Sequence, residues 1–152
     1  MRTLVEGNGD RLVLLFGADR DPGPELTWAR GITLAVGDGL PVDHPGPVGV
    51  VGTSGAGLDA LAFAERHAGI VDRLVLISTP IPPDETIELS GVSAKTLLLF
   101  AARDEATGAR TGRWWQQRLD DARLEANPQG GPDLLEPMWK RVLSHLAPHC
   151  KR

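Results

Sequence analysis

Three short stretches of the chain are apolar without interruption: Val48-Gly49-Val50-Val51, Leu74-Val75-Leu76-Ile77 and Leu97-Leu98-Leu99-Phe100. A strand with one wet face alternates apolar and polar residues. A run that is apolar on both faces has to be covered on both sides. Each stretch is also too short to be a stable helix and is followed by chain-turning residues, Gly52 after the first and Pro80, Pro82 and Pro83 after the second. Together they predict an α/β fold: a mostly parallel central sheet with helices on both faces.

The remaining pattern fills in that frame. Leu4-Val5 and residues 12–16 flank Gly7-Asn8-Gly9-Asp10, which predicts a hairpin because Asn and Gly tolerate positive φ. A Pro/Gly/Asp loop over residues 19–24 leads to a short helix through Leu26, Trp28 and Ala29, then a strand over 32–36 and a loop over 37–47. Residues 56–68 are Ala- and Leu-rich and stop at Gly69, which predicts a helix. A further helix is expected over 110–119 and a last short strand over 123–126. Leu135, Met138, Trp139, Val142, Leu143 and Leu146 repeat at helical spacing and predict an amphipathic C-terminal helix. No repeat or linker interrupts the 152 residues, so a single domain over 1–152 is expected.

Charge and composition exclude several partners. Lys plus Arg is 16 against 20 for Asp plus Glu, a net charge of −4 with no basic run, which disfavours nucleic acid and anionic membrane. Trp114-Trp115 beside Arg110, Arg113 and Arg118 reads as a helix that buries one indole under arginine stems, not as a base-stacking platform. Cys150 is the sole cysteine, so no intramolecular disulfide and no cysteine-based metal centre is expected. Asp38, Asp43 and His44 read as a solvated loop in preference to a metal site, and no metal or cofactor is expected. Glu6 and Asp10 interrupt any leader-like apolar core, and no run is long enough to span a membrane, so a cytoplasmic protein is expected.

The stretch that carries chemistry is V-G-V-V-G-T-S-G-A-G, Val48 to Gly57. A buried strand enters a sharp turn with Ser54 at its apex, and a helix starts at once. Gly52 and Ala56, two residues to either side, are small, as a strained strand-to-helix turn requires. The helix N-terminus points its N–H groups at the same place, where negative charge on a substrate oxygen would be stabilised. Gly52 to Gly57 also fits the start of a phosphate-binding loop, but Leu58 and Asp59 stand where Lys and Ser or Thr are needed.

Here the chain resembles the α/β-hydrolase family, with G-x-S-x-A in place of the commoner G-x-S-x-G. The resemblance extends through L-D-A-L-A-F-A-E-R-H-A-G-I-V-D-R-L-V-L-I-S-T-P and T-L-L-L-F-A-A-R-D, Leu58 to Pro80 and Thr96 to Asp104. It implies Ser54 as nucleophile, Asp104 as the acid that orients a histidine, and the N–H groups of Gly55 and Ala18 as the oxyanion hole. The family's histidine belongs in the loop over residues 127–133, N-P-Q-G-G-P-D, which has none. His44, at the sheet end where sites collect, and His145, flanking the apolar face of the last helix, are the candidate bases; His67 reads as structural and His149 as part of a terminal tail. The connection over 80–95 leaves no room for a cap domain and that over 38–47 is too short for a long crossover helix, so the site is expected to be open.

Two functions follow. One is a serine hydrolase of small esters or thioesters, carrier-bound thioesters included. The other is a hydrolase-like protein without hydrolytic turnover, which binds a carbonyl ligand or a protein or performs lyase or cyclase chemistry in the same pocket. A homo-oligomer is a third expectation, with Cys150 and the Trp139 face as its candidate contacts.

Overall fold

The continuous apolar runs take the middle of one seven-stranded sheet. The computed structural model describes residues 2–5, 11–17, 32–36, 47–82, 92, 94–101, 109–119, 121–127, 141–143 and 145–146. The strands are β1 (Arg2–Val5), β2 (Arg11–Phe16), β3 (Ile32–Val36), β4 (Val48–Thr53), β5 (Val71–Ile77), β6 (Lys95–Ala101) and β7 (Ala122–Asn127). Their order is β1-β3-β2-β4-β5-β6-β7. Every neighbouring pair is parallel except β1 with β3. The helices are α1 (Ala56–Arg66) and α2 (Ala109–Arg118), and residues 141–143 and 145–146 are also helical.

Both faces of the central strands are covered. Leu12, Leu14, Val48, Val50, Leu74, Leu76, Leu98 and Phe100 form one face and share a core with Ala60, Leu61, Phe63 and Ala64 of α1 and with Trp115 of α2. Gly112 lets α2 settle onto this face, since a Cβ there would stand 2.5 Å from Leu124 Cδ1 and 3.0 Å from Phe100 Cδ1. Side chains alternate along a strand, so Val13, Leu15, Val51, Val75, Ile77, Leu97 and Leu99 belong to the other face. They are buried too, as are Val142, Leu143 and Leu146 of the last helical residues.

The hairpin expected between the first two strands does not form. Both edges of β2 are taken by parallel partners, β3 and β4, and β1 pairs antiparallel with the outer edge of β3. Local turn chemistry at Asn8-Gly9 is outweighed by the burial of β2 between two strands. The expected helix near Trp28, the 37–46 part of the expected loop and residues 135–140 of the last helix lie outside the described residues.

The last helical residues are held by apolar burial and by two polar contacts. The Arg141 guanidinium clasps the Glu125 carboxylate, with Nε 3.0 Å from both Oε1 and Oε2 and a further bond from Nη2 to Oε2. Arg123 Nε lies 3.4 Å from the same Oε2. Hydrogen bonding from Arg141, then the charges of Arg141 and Arg123, hold the Glu125 carboxyl below its ordinary range against the cost of its partial burial. His145 Nε2 is 3.0 Å from the Lys95 carbonyl oxygen and therefore donates to it. Burial pushes the His145 imidazole below its usual value, and the nearby Arg73 and Arg141 push it the same way, against the bond to Lys95. Burial of Val142, Leu143 and Leu146, at about 1.5–3 kcal/mol each, outweighs the cost of bringing one half-buried neutral imidazole with them.

Both shifts make stability fall with acid. A histidine whose folded pKa is depressed contributes fully above its unfolded value, near 6.5, and loses that contribution as pH falls through the folded value. The Glu125 contribution is lost later, below the usual carboxylate range. Urea midpoints should therefore be flat above neutrality, decline first below about pH 6.5 and decline again in stronger acid. His145→Gln should flatten the first decline and leave the second; an unchanged first decline would place its origin elsewhere.

Candidate active site

The end of β4 leaves the buried sheet abruptly. Val51 and Gly52 are buried, Thr53 is intermediate and Ser54 is exposed. Ser54 has φ 50°, in the left-handed region, where a residue with a Cβ is strained by about 1–2 kcal/mol. The neighbouring backbone fixes that conformation. The Ser54 N–H donates to the Ile77 carbonyl at 2.8 Å, and the Ser54 carbonyl accepts from the Gly57 N–H at 3.0 Å. The Leu58 N–H donates to the Gly55 carbonyl at 3.2 Å, and α1 is under way from Ala56 with Gly55 as its N-cap.

Sterics hold α1 close against the strand ends. A Cβ on Gly52 would stand 2.6 Å from Gly57 Cα and 2.7 Å from Ala60 Cβ. A Cβ on Gly57 would stand 2.0 Å from Thr79 Oγ1. Gly55 differs: among the described residues nothing lies within 4 Å of a Cβ built there, and it stands at the helix start, where N–H groups lack intrahelical partners. The end of β2 is drawn into the same corner. Gly17 has φ 85°, a Cβ on it would stand 2.5 Å from Thr53 Oγ1, and the Thr53 hydroxyl donates to the Phe16 carbonyl at 3.4 Å.

This corner is the topological switch point of the sheet. From β2 the chain moves outward to β3 and then returns to β4 on the other side of β2. Open parallel sheets bind ligands outside the carboxyl ends of the strands at such a point. Three adjacent strands, β2, β4 and β5, all leave the sheet there through a left-handed residue: Gly17, Ser54 and Ser78, the last at φ 50°.

Thr79 and Trp115 shape this corner together, a contact that the sequence does not show. Thr79 is fully buried against Gly57, and its Oγ1 has no hydrogen-bond partner among the described residues. Trp115, fully buried on α2, donates from Nε1 to the Thr79 carbonyl at 3.0 Å. Its neighbour Trp114 is half-buried beneath the Arg118 guanidinium, 3.9 Å from the ring centroid, as the Arg/Trp pattern leads one to expect. An amphipathic helix pattern shows that one indole is buried, but it carries no sign that the indole reaches the end of β5.

One expected base, His145, and the histidine read as structural, His67, can be placed relative to this corner. His145 is bound to the carbonyl of Lys95, the first residue of β6, which pairs with Arg73. Ser54 follows Thr53, which pairs with Ile77. At about 3.3 Å per residue the two levels of β5 lie about 13 Å apart, so His145 sits at the amino end of the sheet and does not serve Ser54. His67 stacks on Phe63 with centroids 4.6 Å apart, at the far end of α1, about 16 Å along the helix from its start. Its structural reading holds. Asp104, Ala18 and His44 lie outside the described residues, as does His149. Among the described residues no three His, Cys, Asp or Glu side chains gather to hold a metal ion. No helix among them is long and apolar enough to cross a membrane.

Solved structures of the same architecture are numerous. The esterase domain of a Rhodothermus marinus protein superposes with a TM-score of 0.67 at 13% identity, over 93% of this chain and 87% of that one. Mouse alpha/beta hydrolase domain-containing protein 10 gives 0.65 at 15% identity, over 91% and 87%. A serine hydrolase involved in carbazole degradation gives 0.64 at 13% identity, over 91% and 89%. The fold is that of the α/β hydrolases. No family model and no curated protein matches the chain. In this α/β-hydrolase fold Ser54 occupies the strand-to-helix turn that follows the central strand β4.

The packing account separates two neighbouring glycines. Gly57→Ala forces a methyl into buried Thr79 and should cost about 1–3 kcal/mol in urea unfolding. Gly55→Ala, at a helical φ of −61°, meets none of the described residues and should be neutral or stabilising by up to about 1 kcal/mol. Equal losses at the two positions would contradict it.

Proposed function

We propose that this protein is a serine hydrolase acting on small ester or thioester substrates through Ser54. The observation that carries the reading is an exposed serine, held left-handed between β4 and α1 at the switch point of an α/β-hydrolase sheet. The strain leaves the hydroxyl clear of the sheet end, while α1 begins immediately beyond it. In the proposed reaction Ser54 Oγ attacks the substrate carbonyl and its proton passes to a histidine. The oxyanion is held by the Gly55 and Ala18 N–H groups. The leaving alcohol or thiol departs with that proton, and water releases the acyl group from Ser54. Asp104 orients the histidine. With His145 and His67 turned to other work, His44 is the candidate for the base. The reaction uses no metal and no cofactor.

One observation favours a second reading. Both described histidines, His67 and His145, are far from Ser54. If no base reaches the serine, the same corner would bind a carbonyl ligand or a protein without hydrolytic turnover, or use its N–H groups alone for lyase or cyclase chemistry.

Labelling by a fluorophosphonate, followed by intact mass, separates the two. On the first reading the wild type gains one adduct, Ser54→Ala gains none, and Asp104→Asn and His44→Ala label more slowly by about 10²-fold or more. A folded wild type that takes no label favours the second.

A further inference from the structure

The strand β7 ends the sheet and carries the sequence Ala122-Arg123-Leu124-Glu125-Ala126, whose two halves mirror one another with the charge inverted. The Thr96 N–H donates to the Asp121 carbonyl at 2.8 Å, and Thr96 is the partner of Ala122. In a parallel ladder this fixes the alternation: Asp121, Arg123, Glu125 and Asn127 turn their backbone groups toward β6. Ala122, Leu124 and Ala126 turn theirs outward. Among the described residues the Ala122 carbonyl is met on that side only by the exposed amide of Gln116, at a long 3.5 Å. Among the described residues no strand lies beyond this edge.

A long edge of outward N–H and C=O groups is a template for another strand. We infer that a second copy of this chain pairs with it, antiparallel about a two-fold axis through Leu124, joining the two sheets edge to edge. In that register Leu124 faces Leu124 and Ala122 faces Ala126, and these are the hydrogen-bonded positions that exchange the outward groups. Arg123 of one copy then faces Glu125 of the other, twice, at the closer non-hydrogen-bonded positions where cross-strand side chains meet. A parallel pairing in the same place would set Arg123 on Arg123. The charges are available for this. Arg123 is largely exposed, with a side-chain exposure of 77%, and its contact to Glu125 within the chain is a loose 3.4 Å. Glu125 keeps its charge into acid because Arg141 clasps it. An isologous contact of this kind closes after two copies. Cys150 and Trp139, the sequence's candidates for an oligomer contact, lie outside the described residues and are not needed for it.

Sedimentation velocity across a concentration series tests the pairing. The wild type should show a monomer–dimer equilibrium. Ala126→Pro removes an outward N–H without touching the ladder to β6 and should abolish the dimer, with circular dichroism unchanged. Arg123→Glu alone and Glu125→Arg alone should each be monomeric, and their equimolar mixture should dimerise. If Glu125→Arg does not fold for want of the Arg141 contact, Arg123→Glu and Ala126→Pro still decide. A wild type that stays monomeric at every concentration overturns the inference. So does a dimer that survives Ala126→Pro or Arg123→Glu, or a folded pair of charge variants whose mixture stays monomeric.

Discussion

The first turn of α1 lies so close to the ends of β4 and β5 that neither Gly52 nor Gly57 has room for a Cβ. Gly52 and Gly57 meet almost backbone to backbone, and the Thr79 side chain fills the place of the missing Gly57 Cβ. From this contact the rest of the corner follows. The helix can begin within two residues of the strand only if the chain reverses through a left-handed residue, and Ser54 is that residue. Its strain, about 1–2 kcal/mol, is offset by the hydrogen bonds of its N–H to Ile77 and its carbonyl to Gly57. Trp115 extends the constraint outward, since its bond to the Thr79 carbonyl ties α2 to the same point.

Most of this was legible in the chain, and for a physical reason. The buried runs of β4, β5 and β6 are local statements about both faces of a strand, so neighbours three strands away do not change them. The turn at Ser54 was legible because close approach leaves a mark in the sequence, a row of residues with little or no side chain. What failed to show were facts about partners. Asn8-Gly9 favours a hairpin locally, yet which strand lies beside β2 is decided by the whole sheet. Helical spacing placed His145 beside an apolar face, but not at which end of the sheet that face would dock. Thr79 and Trp115 are distant in the chain, and nothing in either residue's neighbourhood announces the other. Gly55 was legible as part of the turn, yet among the described residues no neighbour requires it to be small.

The two ends of the sheet are built on different physics. At the carboxyl end, backbone strain and bare N–H groups are exposed with few charges among the described residues. At the amino end and along β7, side-chain polar contacts dominate: the ion pairs of Arg141 and Arg123 with Glu125, and the hydrogen bond of His145 to the Lys95 carbonyl. Acid acts first on the second set. Loosening there would free the last helical residues from one face of the sheet while β4, α1 and the turn between them, packed on Thr79 and Trp115, keep their contacts.

The turn at Ser54 is made without its side chain. Backbone hydrogen bonds and the absence of bulk at Gly52 and Gly57 set the conformation, and the hydroxyl takes no part in the bonds that hold it. The displayed side chain and the scaffold that displays it are thus separable at this residue. Any side chain that tolerates the left-handed region, Asp and Asn foremost, could be displayed at the same height over the same N–H groups. A substitution of that kind changes what the corner presents to solvent and leaves the backbone bonds that form the turn in place.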